Sequence, residues 1–191
     1  RHAESRDFCG VRQIVARLDN RPELCFAPRD YLTDPKWVNG LKVLEDQGLT
    51  FDLQMYPEQA EAALEALSAT PALTVIIDHA LCPYDPANTT LWKSAVAQMA
   101  ARENTYIKLS GWGMYDANWH RSGGAGTQEM VTEILDQFGP DRTMWGSNFP
   151  VEKLASGYET CRDRIAGPIP EDDRNSVFNA AVSAAYGVTL T

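Results

Sequence analysis

Three observations predict an α/β fold built on a parallel sheet. Five short apolar runs, mostly rich in β-branched or aromatic residues, recur along the 191 residues: VRQIVA (11–16), FDLQMY (51–56), LTVIIDHA (73–80), TYIKLSG (105–111) and TMWGSNFP (143–150). Each is followed by a helical pattern, and the runs recur at about the interval a βα unit requires. With 44% hydrophobic and 23% charged residues, the chain can bury one substantial core, so residues 1–191 are read as a single domain.

Taken in order, the first run places Arg12 on a strand, and the second places Gln54 near the end of one. PEQAEAALEALSA (57–69) opens with Pro57 and two acids in its first turn, which suit the fixed φ of proline and the helix dipole, and stops before Pro71. In TVIIDHA the period of two groups Val75, Ile77 and His79 on one face, with His79 at the carboxyl end; Asp78 then points the other way, as a structural acceptor. LWKSAVAQMAAR (91–102) carries an apolar stripe through Leu91, Trp92, Ala95, Val96 and Met99. The fourth run groups Tyr106, Lys108 and Ser110, and a lysine in mid-strand of a parallel sheet must face a polar interior or a partner charge.

Residues 112–126, WGMYDANWHRSGGAG, form a long connection holding Trp112, Trp119 and His120, and its aromatics suit a lid. Its GGAG run lacks the GxGxxG spacing of a dinucleotide site. TQEMVTEILDQF (127–138) is a helix ended by Gly139-Pro140, and a last helix over about 171–186 closes at Tyr186-Gly187. Between them, MWGSNFPV (144–151) stops a strand at a turn and presents Asn148.

A net charge of −9 without a local Lys/Arg cluster disfavours nucleic acid and anionic membranes as partners. Cys9, Cys25, Cys82 and Cys161 form no CxxC pair and read as reduced thiols, which suits the cytoplasm. No apolar run reaches the roughly 18 residues of a membrane span, and no charged-then-apolar leader opens the chain. The chain starts Arg1-His2-Ala3-Glu4 inside a polar, helix-like stretch, which reads as a cut-off beginning. No GxSxG nucleophile motif is present.

The segments GVRQIV, FDLQMYPEQ, VIIDHA, YIKLSG and FGPDRTMWGSNFPV, with the closing VFNAAVSAAYGV, together resemble the amidohydrolase-related family of metal-optional hydrolases that includes fuconolactonase and 2-pyrone-4,6-dicarboxylate lactonase. The resemblance implies a (β/α)8 TIM barrel of about 250 to 300 residues, with its site at the carboxyl ends of the strands. The five βα units here correspond to its fourth to eighth strands, so the barrel is expected to be incomplete. The family's opening strand with its His-x-His pair has no counterpart, since His2 stands alone.

Residue by residue, the resemblance makes His79 the strand-six histidine facing a metal or the substrate carbonyl. Arg12 becomes a clamp for an anionic substrate group, Ser110 a residue approaching the site, and Lys108 an interior counter-charge. Gln54 and Trp112 are added as substrate-binding candidates, from strand face and from the lid. Asn148 stands where relatives such as fuconolactonase carry an Asp general base; an amide cannot take that proton, but it can orient water or donate to an oxyanion. Only His79 is a good metal ligand, so no tightly bound ion is expected in this chain, while a complete relative could hold zinc.

The function implied is opening of a lactone of a sugar acid or aromatic-degradation intermediate by direct water attack. A decarboxylase on the same barrel and a catalytically inactive truncated barrel are the alternatives. Five unclosed strands would leave two edges, so reduced stability or self-association through an edge is expected.

Overall fold

The computed structural model describes Ser5 and residues 8–85, 89–119 and 125–189. Five strands alternate with helices: β1 (Gly10–Ile14), α1 (Pro35–Asp46), β2 (Thr50–Gln54), α2 (Ala60–Leu67), β3 (Val75–Ile77), α3 (Thr89–Ala100), β4 (Thr105–Leu109), α4 (Ala125–Phe138), β5 (Thr143–Trp145), α5 (Tyr158–Ala166) and α6 (Ala181–Tyr186). The strands form one all-parallel sheet in the sequential order β1-β2-β3-β4-β5. Sequential order is the topology of a (β/α) barrel and differs from the reversing order of a doubly wound sheet. Here it forms an arc of five units, an incomplete barrel.

The strands are shorter than the apolar runs because their carboxyl ends turn into loops. β3 stops at Ile77, and after the extended Asp78 the residues His79, Ala80, Leu81 and Cys82 all take positive φ, from 47° to 59°. Four consecutive non-glycine residues in the left-handed region cost roughly 1–2 kcal/mol each. Surrounding contacts hold them there. Cys82 N donates to His79 O at 2.7 Å, and Trp92 Nε1 donates to Ala80 O at 2.8 Å.

Each face of the sheet has its own cover. Phe51, Leu53, Val75, Ile77, Ile107 and Leu109 lie on the outer face in one apolar cluster with Leu41, Leu67, Trp92, Val96, Met99, Ile134 and Phe138. The inner face carries Asp52, Ile76, Tyr106, Lys108 and Met144. There Ile76 and Met144 cluster with Ala181 and Ala185 of α6, and Tyr186 packs alongside. A π-helical turn at Ser176–Ala180 leads into α6, and Gly187, with φ of 64°, ends it.

Candidate active site

The site grows from the carboxyl end of the inner face. Arg12 projects from β1, and its Nη2 donates to Gln54 Oε1 at 2.9 Å and to His79 Nε2 at 2.8 Å. Its Nε lies 2.9 Å from Asp78 Oδ2. On the far side of the imidazole, His79 Nδ1 lies 2.9 Å from Ser110 Oγ. One chain of contacts therefore joins the ends of β1, β2, β3 and β4.

This chain fixes the protonation of the histidine. A guanidinium can only donate, so Nε2 must accept from Arg12; Nδ1 then carries the hydrogen and donates to Ser110 Oγ. Burial of the ring, followed by the positive charges of Arg12 and Lys108, pushes its pKa down to about 4. At neutral pH His79 is an uncharged imidazole.

Beneath it lies a second layer of charge. Lys108 Nζ sits between Asp52 and Asp78, with Asp78 Oδ1 at 3.0 Å. Burial works against the ammonium, but the pull of Asp78 and Asp52 outweighs it, and the Lys108 pKa is raised. Tyr186 of α6 donates its hydroxyl to Asp52, at 2.8 and 2.9 Å from the two oxygens, and its ring lies under Lys108. The network holds two charges of each sign.

Sequence reasoning put His79 on the face of Val75 and Ile77, and the structure corrects this. Val75 and Ile77 face the helices, while the left-handed turn after Asp78 breaks the period of two and carries His79 inward to Arg12 and Ser110. Asp78, expected as a structural acceptor, is fully buried on the inner face between Lys108 and Arg12. Arg12, Gln54, His79 and Ser110 are thus brought together.

Asn148 and Trp112 are placed differently. Asn148 adopts φ of 51° beyond Gly146, whose N–H bonds Leu109 O at 3.2 Å. Its Nδ2 is buried with no hydrogen-bond partner, and among the described residues its side chain makes no hydrogen bond to Arg12, His79 or Ser110. Trp112 is buried against Trp119, with ring centroids 6.4 Å apart. It lines a cavity of about 340 Å³ with Pro83, Tyr115, Trp119 and Met130, none of them part of the Arg12 cluster. His2 and His120 lie outside the described residues.

The sequence matches the family described as Amidohydrolase over residues 1–183. The chain belongs to the amidohydrolase family. Among relatives, it is 30% identical to the uncharacterized protein y4mH of Sinorhizobium fredii, covering 98% of this chain and 63% of that protein. It is 28% identical to L-fucono-1,5-lactonase of Burkholderia ambifaria, covering 97% of this chain and 63% of the lactonase. The chain therefore spans a little under two thirds of the length of these relatives. A solved amidohydrolase from Burkholderia multivorans with bound zinc superposes with a TM-score of 0.80 at 22% identity, over 97% of this chain and 67% of the other. That likeness is one of fold.

Among the described residues no three His, Cys, Asp or Glu side chains converge to hold a metal ion. Both ring nitrogens of His79 are engaged, and a cation at Nε2 would meet the guanidinium of Arg12. The residues as placed do not fit a metal. Cys82 offers no nucleophile either, since burial pushes its thiol up to about 12.

Asp52, Tyr186 and Glu152 escaped sequence reasoning. Asp52 was discoverable, because it shares the period-two face of Gln54 and lies two strands from Lys108.

Proposed function

We propose that the whole protein is a lactone hydrolase, with the amidohydrolase site centred on Arg12 and His79. The observation that carries the reading is the chain of contacts from Arg12 through His79 to Ser110 across three strand ends. The L-fucono-1,5-lactonase relative supports the choice of a lactone.

In this reading Arg12, and not His79, polarises the carbonyl. His79 has no free N–H, whereas the two N–H groups on Arg12 Nη1 have no protein acceptor among the described residues. They stabilise the oxyanion that forms as water adds to the carbonyl carbon. Asn148, with its Nδ2 buried and out of hydrogen-bond contact with Arg12, His79 and Ser110, takes no part in the step. Water adds to the carbonyl carbon, its proton passes by way of solvent to the ring oxygen as the ester bond breaks, and the hydroxy acid is released; His79, its Nε2 lone pair held by Arg12, orients the guanidinium.

Because the four charges cancel, the reading favours an uncharged sugar-acid lactone over the anionic substrate expected from Arg12 alone. The test is acid release at constant pH from a panel of neutral and carboxylated lactones. Hydrolysis of a neutral lactone is expected, with kcat/KM falling about 10²- to 10³-fold in Arg12→Ala. Failure to open any lactone would reject the reading.

A further inference from the structure

The loop after β5 holds a carboxylate that the mechanism above does not use. Glu152 is 1% exposed, and among the described residues no Lys or Arg pairs with it. A buried carboxylate needs strong donors, and it finds two, both in the loop after β4. Its Oε1 accepts from Gly113 N at 3.1 Å and from Trp119 Nε1 at 2.7 Å, and its Oε2 lies 3.3 Å from the same Gly113 N.

The backbone of Glu152 reaches the other way. Its N–H donates to Asn148 O at 3.0 Å, within the turn that gives Asn148 its positive φ. The β4 loop in turn presses on the histidine. A Cβ on Gly111 would lie 2.7 Å from His79 Cγ and Nδ1, and one on Gly113 would lie 2.4 Å from Ala155 Cβ and 2.6 Å from Glu152 Oε1. Glycine at 111 and 113 lets this loop pack between the imidazole and the carboxylate. Trp112, between them, is buried against Trp119.

We propose that Glu152 is a positioning residue that ties the β4 and β5 loops together, setting His79 through Gly111 and Asn148 through its own amide. Its link to catalysis rests on the lactone reading; its link to His79 does not. Removing the carboxylate frees Gly113 and Trp119 from a common anchor, and the wall against the imidazole loosens.

The test compares Glu152→Ala with Glu152→Gln, in which the amide oxygen can keep both Oε1 contacts. In Glu152→Ala, hydrogen exchange at the Gly113 amide is expected to speed up at least tenfold, and the His79 Nδ1–H signal to shift or broaden. Lactone kcat is expected to drop about tenfold with KM changed less than threefold. Glu152→Gln should recover most of all three. If Glu152→Ala does not fold, Trp119→Phe removes one of the two donors and should produce the same changes at smaller size. A His79 signal unmoved in the folded variants would overturn the proposal, whatever happens to activity. A wild-type protein inert toward lactones would reject the lactone reading and leave the exchange and His79 measurements to decide the role of Glu152.

Discussion

On the outer face of the sheet, Phe51, Leu53, Val75, Ile77, Ile107 and Leu109 are at most 2% exposed and pack in one apolar cluster under the helices. One residue along the same strands, the inner face carries Asp52 and Lys108, with Asp78 just past the end of β3. The outer cluster is non-directional, so it tolerates changes of shape that keep its volume. The inner network is directional and gains little stability from its charges, because each must be desolvated. What the inner face provides is orientation of Arg12 and a neutral His79.

Removing one charge from the network has the largest expected effect. Lys108→Met leaves Asp52 and Asp78 facing each other without their ammonium, and should cost roughly 3 to 5 kcal/mol in denaturant unfolding. Adding Asp52→Asn should recover part of that loss, because the two side chains are in direct contact. Leu53→Ala on the outer face should cost roughly 2 to 5 kcal/mol, yet leave the His79 ring signals where they were. A shift of those signals would show that the faces are not independent.

The next effect is pH-dependent. His79 has its pKa lowered in the folded protein to about 4, so the unfolded chain binds the extra proton first. Its stabilising contribution is complete above the unfolded value near 6.5 and is lost as pH falls from there towards 4. The loss is on the order of 3 kcal/mol. Denaturant unfolding at pH 7 and pH 5 should show it, and His79→Gln should flatten that part of the profile. Smallest is Ser110→Ala, which removes a single hydrogen bond and should cost about 1 kcal/mol in stability.

Much of this arrangement was legible in the residues. The βα alternation, the interior Lys108 and the inward face of Gln54 could be read because strand period is a local signal, whereas Arg12, His79 and Ser110 were picked out through the family resemblance. The direction of His79 could not, because it depends on a left-handed turn in His79-Ala80-Leu81-Cys82 that contains no glycine to announce it. α1 was not singled out because Asn39-Gly40 interrupts its pattern, although Asp34 caps it by accepting from Lys36 N at 2.8 Å. α5, reading YETCRDRIA, is too polar to show a stripe. Glu152 was not singled out, because its burial depends on donors more than 30 residues away in the chain.

Among the described residues both edges of the sheet are unpaired, since β1 pairs only with β2 and β5 only with β4. Among the described residues no helix is long and apolar enough to cross a membrane.

At the centre of the site is an uncharged His79 that accepts from Arg12 and donates to Ser110. Nitrogen-15 chemical shifts of the His79 ring, followed from pH 7.5 down to 4, measure this directly. The predicted result is a protonated Nδ1 and a bare Nε2 at neutral pH, with no titration until pH approaches about 4. A ring that titrates near 6.5, or one that carries its hydrogen on Nε2, would contradict the account.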